Sequence, residues 1–268
     1  MAQIRPAAPI EPDPATREFY VAALRKLDEA DVPYVVGGGY AMAYYTGIAR
    51  NTKDLDIFVR PADRDRCLST LAAAGYRTEF FYPFWIAKAI EPKTEAFIDI
   101  LYSSGNGLCT VDDDWFKNTP TVPVHGYPTR LVPAEEQLWS KAFVQDRDRF
   151  DGADVIHLIY GQGDKLNWKR LLRRFEGHEP VLLAHLLLFG YAYPNDRDCI
   201  PAWVMAHLQD VVAHDQPHAN RDGKVCRGTF LAQRSYGTAL KDWGYGDGRL
   251  ESHGGPLNPD EVAQLPPP

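Results

Sequence analysis

Two aspartates, Asp54 and Asp56, stand two residues apart in the run Asp54-Leu55-Asp56-Ile57-Phe58-Val59. Alternation of acidic and apolar residues predicts a β-strand, in which residues i and i+2 share a face. Both carboxylates would then project together while Leu55 and Ile57 enter the core. Carboxylates side by side repel unless a cation sits between them. Hard oxygen donors at that spacing suit Mg²⁺. Upstream lies Gly37-Gly38-Gly39, where the backbone can turn sharply and approach a ligand closely. A helix expected from Tyr40 to about Thr46 would aim its free N–H groups at that turn, forming an anion site. Singly, a glycine turn or an acidic pair on an edge strand is unremarkable chemistry. Joined by one helix, they imply phosphoryl or nucleotidyl transfer.

The flanking chain supplies the elements that must hold these groups. A helix is expected from Pro14 to about Ala30, with Phe19, Leu24 and Leu27 inward. Pro33 stops it, and Tyr34-Val35-Val36 forms a buried strand leading into the glycines. Beyond the aspartates a helix opens at Pro61-Ala62-Asp63 and ends at Gly75. Residues 76–82 and 84–91 alternate well enough to pair as strands. Ala96-Phe97-Ile98-Asp99-Ile100-Leu101 then reads as a central strand with one acid among apolar neighbours. A buried carboxylate needs a cation or strong donors; backbone amides at a strand end are the bland alternative. Asp112-Asp113-Asp114 precedes Trp115-Phe116 and reads as a helix N-terminus, where negative charge is favourable. Two short strands follow, near 122–124 and 129–132.

Pro133 starts a strong helix that carries Lys141, whereas Lys165 falls in a glycine-rich loop and reads as solvated. From Asn167 onward the pattern is helical, over 168–174, 180–189 and 203–213. Lys169, Arg170, Arg173 and Arg174 form the one dense basic group. It is either a solvated face or a guide for a polyanion such as tRNA. His207, His214, His218 and Cys226 match no tight zinc spacing. Residues 226–245 are loop-rich and aromatic and would pack over a cleft. The proline-rich ends, 1–14 and 256–268, are expected to be a loose arm and a disordered tail.

The net charge of -7 gives the whole chain no attraction to nucleic acid. Four scattered cysteines without a CxxC pair imply reduced thiols and a cytoplasmic setting. Neither a signal peptide nor an apolar run of membrane-spanning length is evident. We therefore expect no membrane association.

Gly38-Gly39-Tyr40-Ala41, then Arg50 and Thr52, then Asp54-Leu55-Asp56 together resemble the signature of the DNA polymerase β-like nucleotidyltransferases. The likeness covers roughly residues 15 to 160 and is greatest to minimal bacterial members, which include antibiotic nucleotidyltransferases and abortive-infection toxins. It implies an α+β fold, a mixed β-sheet flanked by helices with a C-terminal helical region. We expect residues 1–132 to form the catalytic core and 133–268 to complete the cleft. The resemblance also implies two Mg²⁺ ions held by Asp54, Asp56 and Asp99, with Asp99 matching the family's third carboxylate. Gly38 and Gly39 would hold the terminal phosphates of an NTP such as ATP. Arg50, Lys53 or Lys141 would neutralise the departing pyrophosphate, and Asp154 would orient Lys141. The hydroxyl acceptor is left open between a small molecule and, as in toxin-type relatives, tRNA or protein; a toxin-like role would bring an antitoxin partner. A catalytically degenerate nucleotide-binding module is the alternative from another class, against which the intact acidic trio argues.

Overall fold

The computed structural model describes residues 6–7, 12–49, 52, 54–214 and 224–265. Its contacts divide the chain between residues 137 and 138 into two compact units.

In the first unit Asp13 caps the opening helix, accepting the N–H groups of Ala15 and Thr16, and Pro14 occupies its first turn. That helix, α1 (Pro14–Glu29), buries Phe19, Tyr20, Ala23, Leu24 and Leu27. The chain then forms β1 (Val35–Val36), α2 (Gly38–Thr46), β2 (Leu55–Phe58), α3 (Arg64–Ala73), β3 (Arg77–Tyr82), β4 (Ile86–Ile90), β5 (Phe97–Leu101), β6 (Thr121–Val124) and β7 (Tyr127–Arg130). The next helix, α4 (Ala134–Ala142), carries the division between the units within it.

Five strands make one mixed sheet in the order β1-β2-β5-β4-β3. Strands β2 and β5 run parallel, and every other neighbouring pair is antiparallel. The alternation of side chains along each strand sorts the two faces. Leu55, Ile57, Ala87, Ala89, Ile98 and Ile100 enter one buried cluster with α1 and α3. The intervening residues, Asp56, Lys88 and Asp99, fall on the other face in a single row, because Asp56 pairs with Asp99 and Asp99 with Lys88. Phe58 continues this face and stacks on buried Trp115 at 4.9 Å. The second sheet is the hairpin β6–β7.

The second unit is mainly helical. It contains α5 (Gly152–Gln162), α6 (Trp168–Arg174), α7 (Glu179–Ala192), α8 (Ala202–His214), β8 (Val225–Cys226), α9 (Gly237–Lys241), β9 (Gly246–Asp247) and α10 (Pro259–Gln264). Helix α7 packs against both α5 and α8. The guanidinium of buried Arg249 grips the Asp247 carboxylate through both Nε and Nη2, and Thr229 adds a hydroxyl to the same acid.

Three expectations, on the start of α2, the tail and the basic group, need correction. Helix α2 starts at Gly38, not Tyr40, since the positive φ that glycine permits lies at its first residue. The tail expected to be disordered holds α10, whose N-terminus has a reciprocal capping box between Asn258 and Glu261. The four basic residues of 169–174 do not share one solvated face. Arg170 is buried, and Arg174 lies over the Trp139 ring at 4.9 Å. All four cysteines are buried and none is in a disulfide. No helix among the described residues is long and apolar enough to cross a membrane.

Candidate active site

The acids come from the edges of a turn and from the middle of the sheet. Asp54 precedes β2, Asp56 lies within it, and Asp99 lies at the centre of β5, beside Asp56 in register. Each offers a carboxylate oxygen within 4.8 Å of the other two, the one such group of His, Cys, Asp or Glu among the described residues. Thr52 fixes the first acid: its hydroxyl lies 3.1 Å from both the carbonyl and Oδ1 of Asp54.

The glycine turn abuts this cluster. Gly37 N–H donates to the carbonyl of Asp56 at 3.0 Å, continuing the β1–β2 ladder by one residue. Gly38 has φ +54, and a Cβ there would fall 1.7 Å from Asp56 Oδ2. Only glycine therefore lets the carboxylate occupy its place. A Cβ on Gly39 would sit 3.0 Å from the side chain of Thr52. From this turn α2 presents its first N–H groups, and Gln137 Nε2 reaches the carbonyl of Gly38 at 3.5 Å.

Asp99 is the most enclosed of the three acids. Burial raises its proton affinity; the neighbouring Lys88 ammonium opposes that shift, and Asp54 adds to it, leaving the net direction upward. Lys88 Nζ stands 2.9 Å from Asp99 Oδ1. The two form an ion pair in which both side chains are largely buried. Three hard oxygen donors within reach of one another fit a divalent cation.

Two aromatic groups missed in the sequence support the cluster. Tyr20 of α1 is buried, and burial together with the fields of Asp54, Asp56 and Asp99 holds its phenol firmly protonated. His125, in the β6–β7 turn, stacks on Tyr20 and pairs with the Tyr40 hydroxyl at 2.6 Å. The first turn of α2 is thus tied to α1 through one imidazole. Lys88 was also missed. Its signal was a lone lysine centred in Ile86-Ala87-Lys88-Ala89-Ile90, the basic counterpart of the lone acid in Phe97-Ile98-Asp99-Ile100-Leu101.

The remaining expected site residues lie elsewhere. Arg50 and Lys53 are outside the described residues, as is His218. Lys141 and Asp154 belong to the second unit. There Lys141 Nζ lies 2.8 Å from Asp154 Oδ2 and 2.9 Å from Asp151 Oδ2, all three side chains largely buried. His207 and His214 on α8 are exposed; His214 pairs with Asp210.

The model of a family described as uncharacterised nucleotidyltransferase matches residues 18–189, more than half of the chain. The chain belongs to this family, and its enzyme class is nucleotidyltransferase. No curated protein matches it. Among solved structures it is similar to the antibiotic-resistance factor ANT(2'')-Ia in solution, at 16% identity over 65% of this chain and 98% of that one, with a TM-score of 0.44. It is also similar to the lincomycin-bound lincosamide antibiotic adenylyltransferase LnuA, at 17% identity over 57% and 98% of the two chains and a TM-score of 0.38. An antigenic nucleotidyltransferase-like protein from Paracoccidioides brasiliensis matches at 16% identity over 64% and 92%, with a TM-score of 0.37.

Proposed function

We propose that this enzyme is Mg²⁺-dependent and transfers an NMP from an NTP to a hydroxyl of a small molecule. The observation that carries the proposal is the convergence of Asp54, Asp56 and Asp99 against a turn where only glycine fits. Asp54 and Asp56 would hold two Mg²⁺ ions, and Asp99 would share the one beside the acceptor. When bound, such ions neutralise charge on the attacking and leaving oxygens at the α-phosphorus.

The chain's own groups do the rest. N–H groups of Gly38, Gly39 and the first turn of α2 receive the terminal phosphates. Asp99, on the acceptor side in this reading, would take up the acceptor's hydroxyl proton. Arg50, Lys53 and Lys141 are the cations we assign to the departing pyrophosphate, with Asp154 orienting Lys141. A small acceptor is favoured over a polyanion by the net charge of -7 and by the burial of Arg170 within the basic group.

Asp56→Asn tests the assignment. It should abolish incorporation of label from an α-labelled NTP, with ATP as the first donor, while the circular dichroism spectrum stays unchanged. Wild-type turnover in that variant would refute it.

A further inference from the structure

Lys88 is a charged side chain within the sheet to which the proposed chemistry gives no task. Its β4 neighbours Ile86, Ala87, Ala89 and Ile90 are all buried. Its ammonium lies 3.8 Å from the centre of the Phe97 ring and 5.5 Å from that of Phe81. Both contacts favour a cation at this spot. Register places it one strand beyond Asp99, in the same row as Asp56, with 2.9 Å to Asp99 Oδ1. Glu79 is its partner across β3–β4, yet the ammonium is drawn to Asp99.

Charge bookkeeping gives this placement a consequence. The three carboxylates carry three negative charges. Lys88 and one divalent ion together carry three positive charges, so a single ion brings the cluster to neutrality. A second ion would enter a neutral site and would meet a fixed ammonium on the oxygen it must share. Nucleotide phosphates restore the negative charge that makes its entry favourable.

We propose that Lys88 is a positioning residue, a tethered cation on Asp99 that makes uptake of the second divalent ion depend on bound nucleotide. This rests on the acidic trio being the metal site. The test is Mn²⁺ binding to the whole protein, followed by the electron paramagnetic resonance of free Mn²⁺, with Mn²⁺ alone and then with α,β-methylene-ATP. Without nucleotide, wild type should take up one ion tightly. Lys88→Met should bind a second with an affinity at least about tenfold higher than wild type, a modest effect for a unit charge at contact distance. Lys88→Arg keeps the charge and should stay near wild type, which also guards against a folding defect in the Met variant. Adding the analogue should bring wild type and Lys88→Met to the same two-ion state.

Equal stoichiometry and affinity of wild type and Lys88→Met without nucleotide, together with weaker binding in Asp99→Asn, overturns the role of Lys88 and leaves the proposed function standing. Unchanged Mn²⁺ binding in both Asp54→Asn and Asp56→Asn places the ion elsewhere and overturns both.

Discussion

At Gly38 a single hydrogen atom in place of a methyl group decides where a carboxylate can be. The would-be Cβ lies 1.7 Å from Asp56 Oδ2, and φ is +54. Gly38→Ala must therefore push Asp56 out of the cluster, and it adds left-handed strain. We expect a loss of about 100-fold in transfer rate, as for other misplacements of about 1 Å. Stability should fall by about 1–3 kcal/mol. Chemical denaturation alongside the labelled-NTP assay separates the two effects; a near wild-type rate would mean that Asp56 does not need its present position. At Gly39 the would-be Cβ meets Thr52 at 3.0 Å, so Gly39→Ala requires the residue that fixes Asp54 to give by a few tenths of an ångström.

At the scale of elements, the acid-bearing strands were legible because each is a short apolar run holding a lone acid. Asp56 and Asp99 each interrupt an apolar run, and β2 and β5 appear where those runs do. Three things were not legible. The pairing of Lys88 with Asp99 depends on register between β4 and β5, which no single strand's pattern contains. The Tyr20–His125–Tyr40 group joins α1, α2 and a hairpin turn, with more than a hundred residues between Tyr20 and His125. The α10 helix is hidden by prolines, though its Asn258 and Glu261 were the readable cap.

Helix α4 and the chain after it give a test of Lys141. Its ammonium lies between two largely buried carboxylates. Lys141→Met leaves Asp151 and Asp154 facing each other, and should cost about 3 kcal/mol of stability. If Lys141 also meets the pyrophosphate as proposed, the KM for NTP rises in conditions where the variant is fully folded. An unchanged KM in folded protein would confine the lysine to packing.

His178, between α6 and α7, sets a pH dependence for the second unit. Burial, with Arg227 adding to it, lowers its pKa to about 4 from 6.5. The unfolded chain takes up this proton as pH falls through 6.5, and the folded chain does so only near 4. The unfolded state thus binds more protons between those values. Stability is complete above pH 6.5 and is lost progressively down to about 4. Partial exposure discounts the effect to about 1–2 kcal/mol. Fully buried His185 is shifted downward as well, chiefly by burial, and adds loss of the same sign. Urea midpoints at pH 7.5 and 4.5 should differ for wild type and differ less for His178→Phe, whose ring suits the edge-on contacts with Phe143 and Phe230.

For the whole molecule, charge bears on the choice of acceptor. The acidic chain, with Arg170 withdrawn into the interior, is poorly charged for RNA. Incubation with each labelled NTP plus total RNA, lysate protein or small-molecule extract should place the label in the small-molecule fraction. Expression of the chain alone should leave growth unaffected. An arrest that disappears in Asp54→Asn would instead assign a macromolecular acceptor. The family match extends to residue 189 and so takes in α4, α5, α6 and most of α7 as well as the sheet.

The sheet order β1-β2-β5-β4-β3 sets a timetable for synthesis. The last of these five strands to be made has to slide between two that already exist. Until then β2 lacks one neighbour, and the β3–β4 hairpin has nothing to dock on. A chain that stops short of β5 would carry two of its acids and the glycine bend, yet it could not assemble the third corner. The acidic trio should therefore assemble in one step, once the nascent polypeptide has passed residue 101, and not acid by acid.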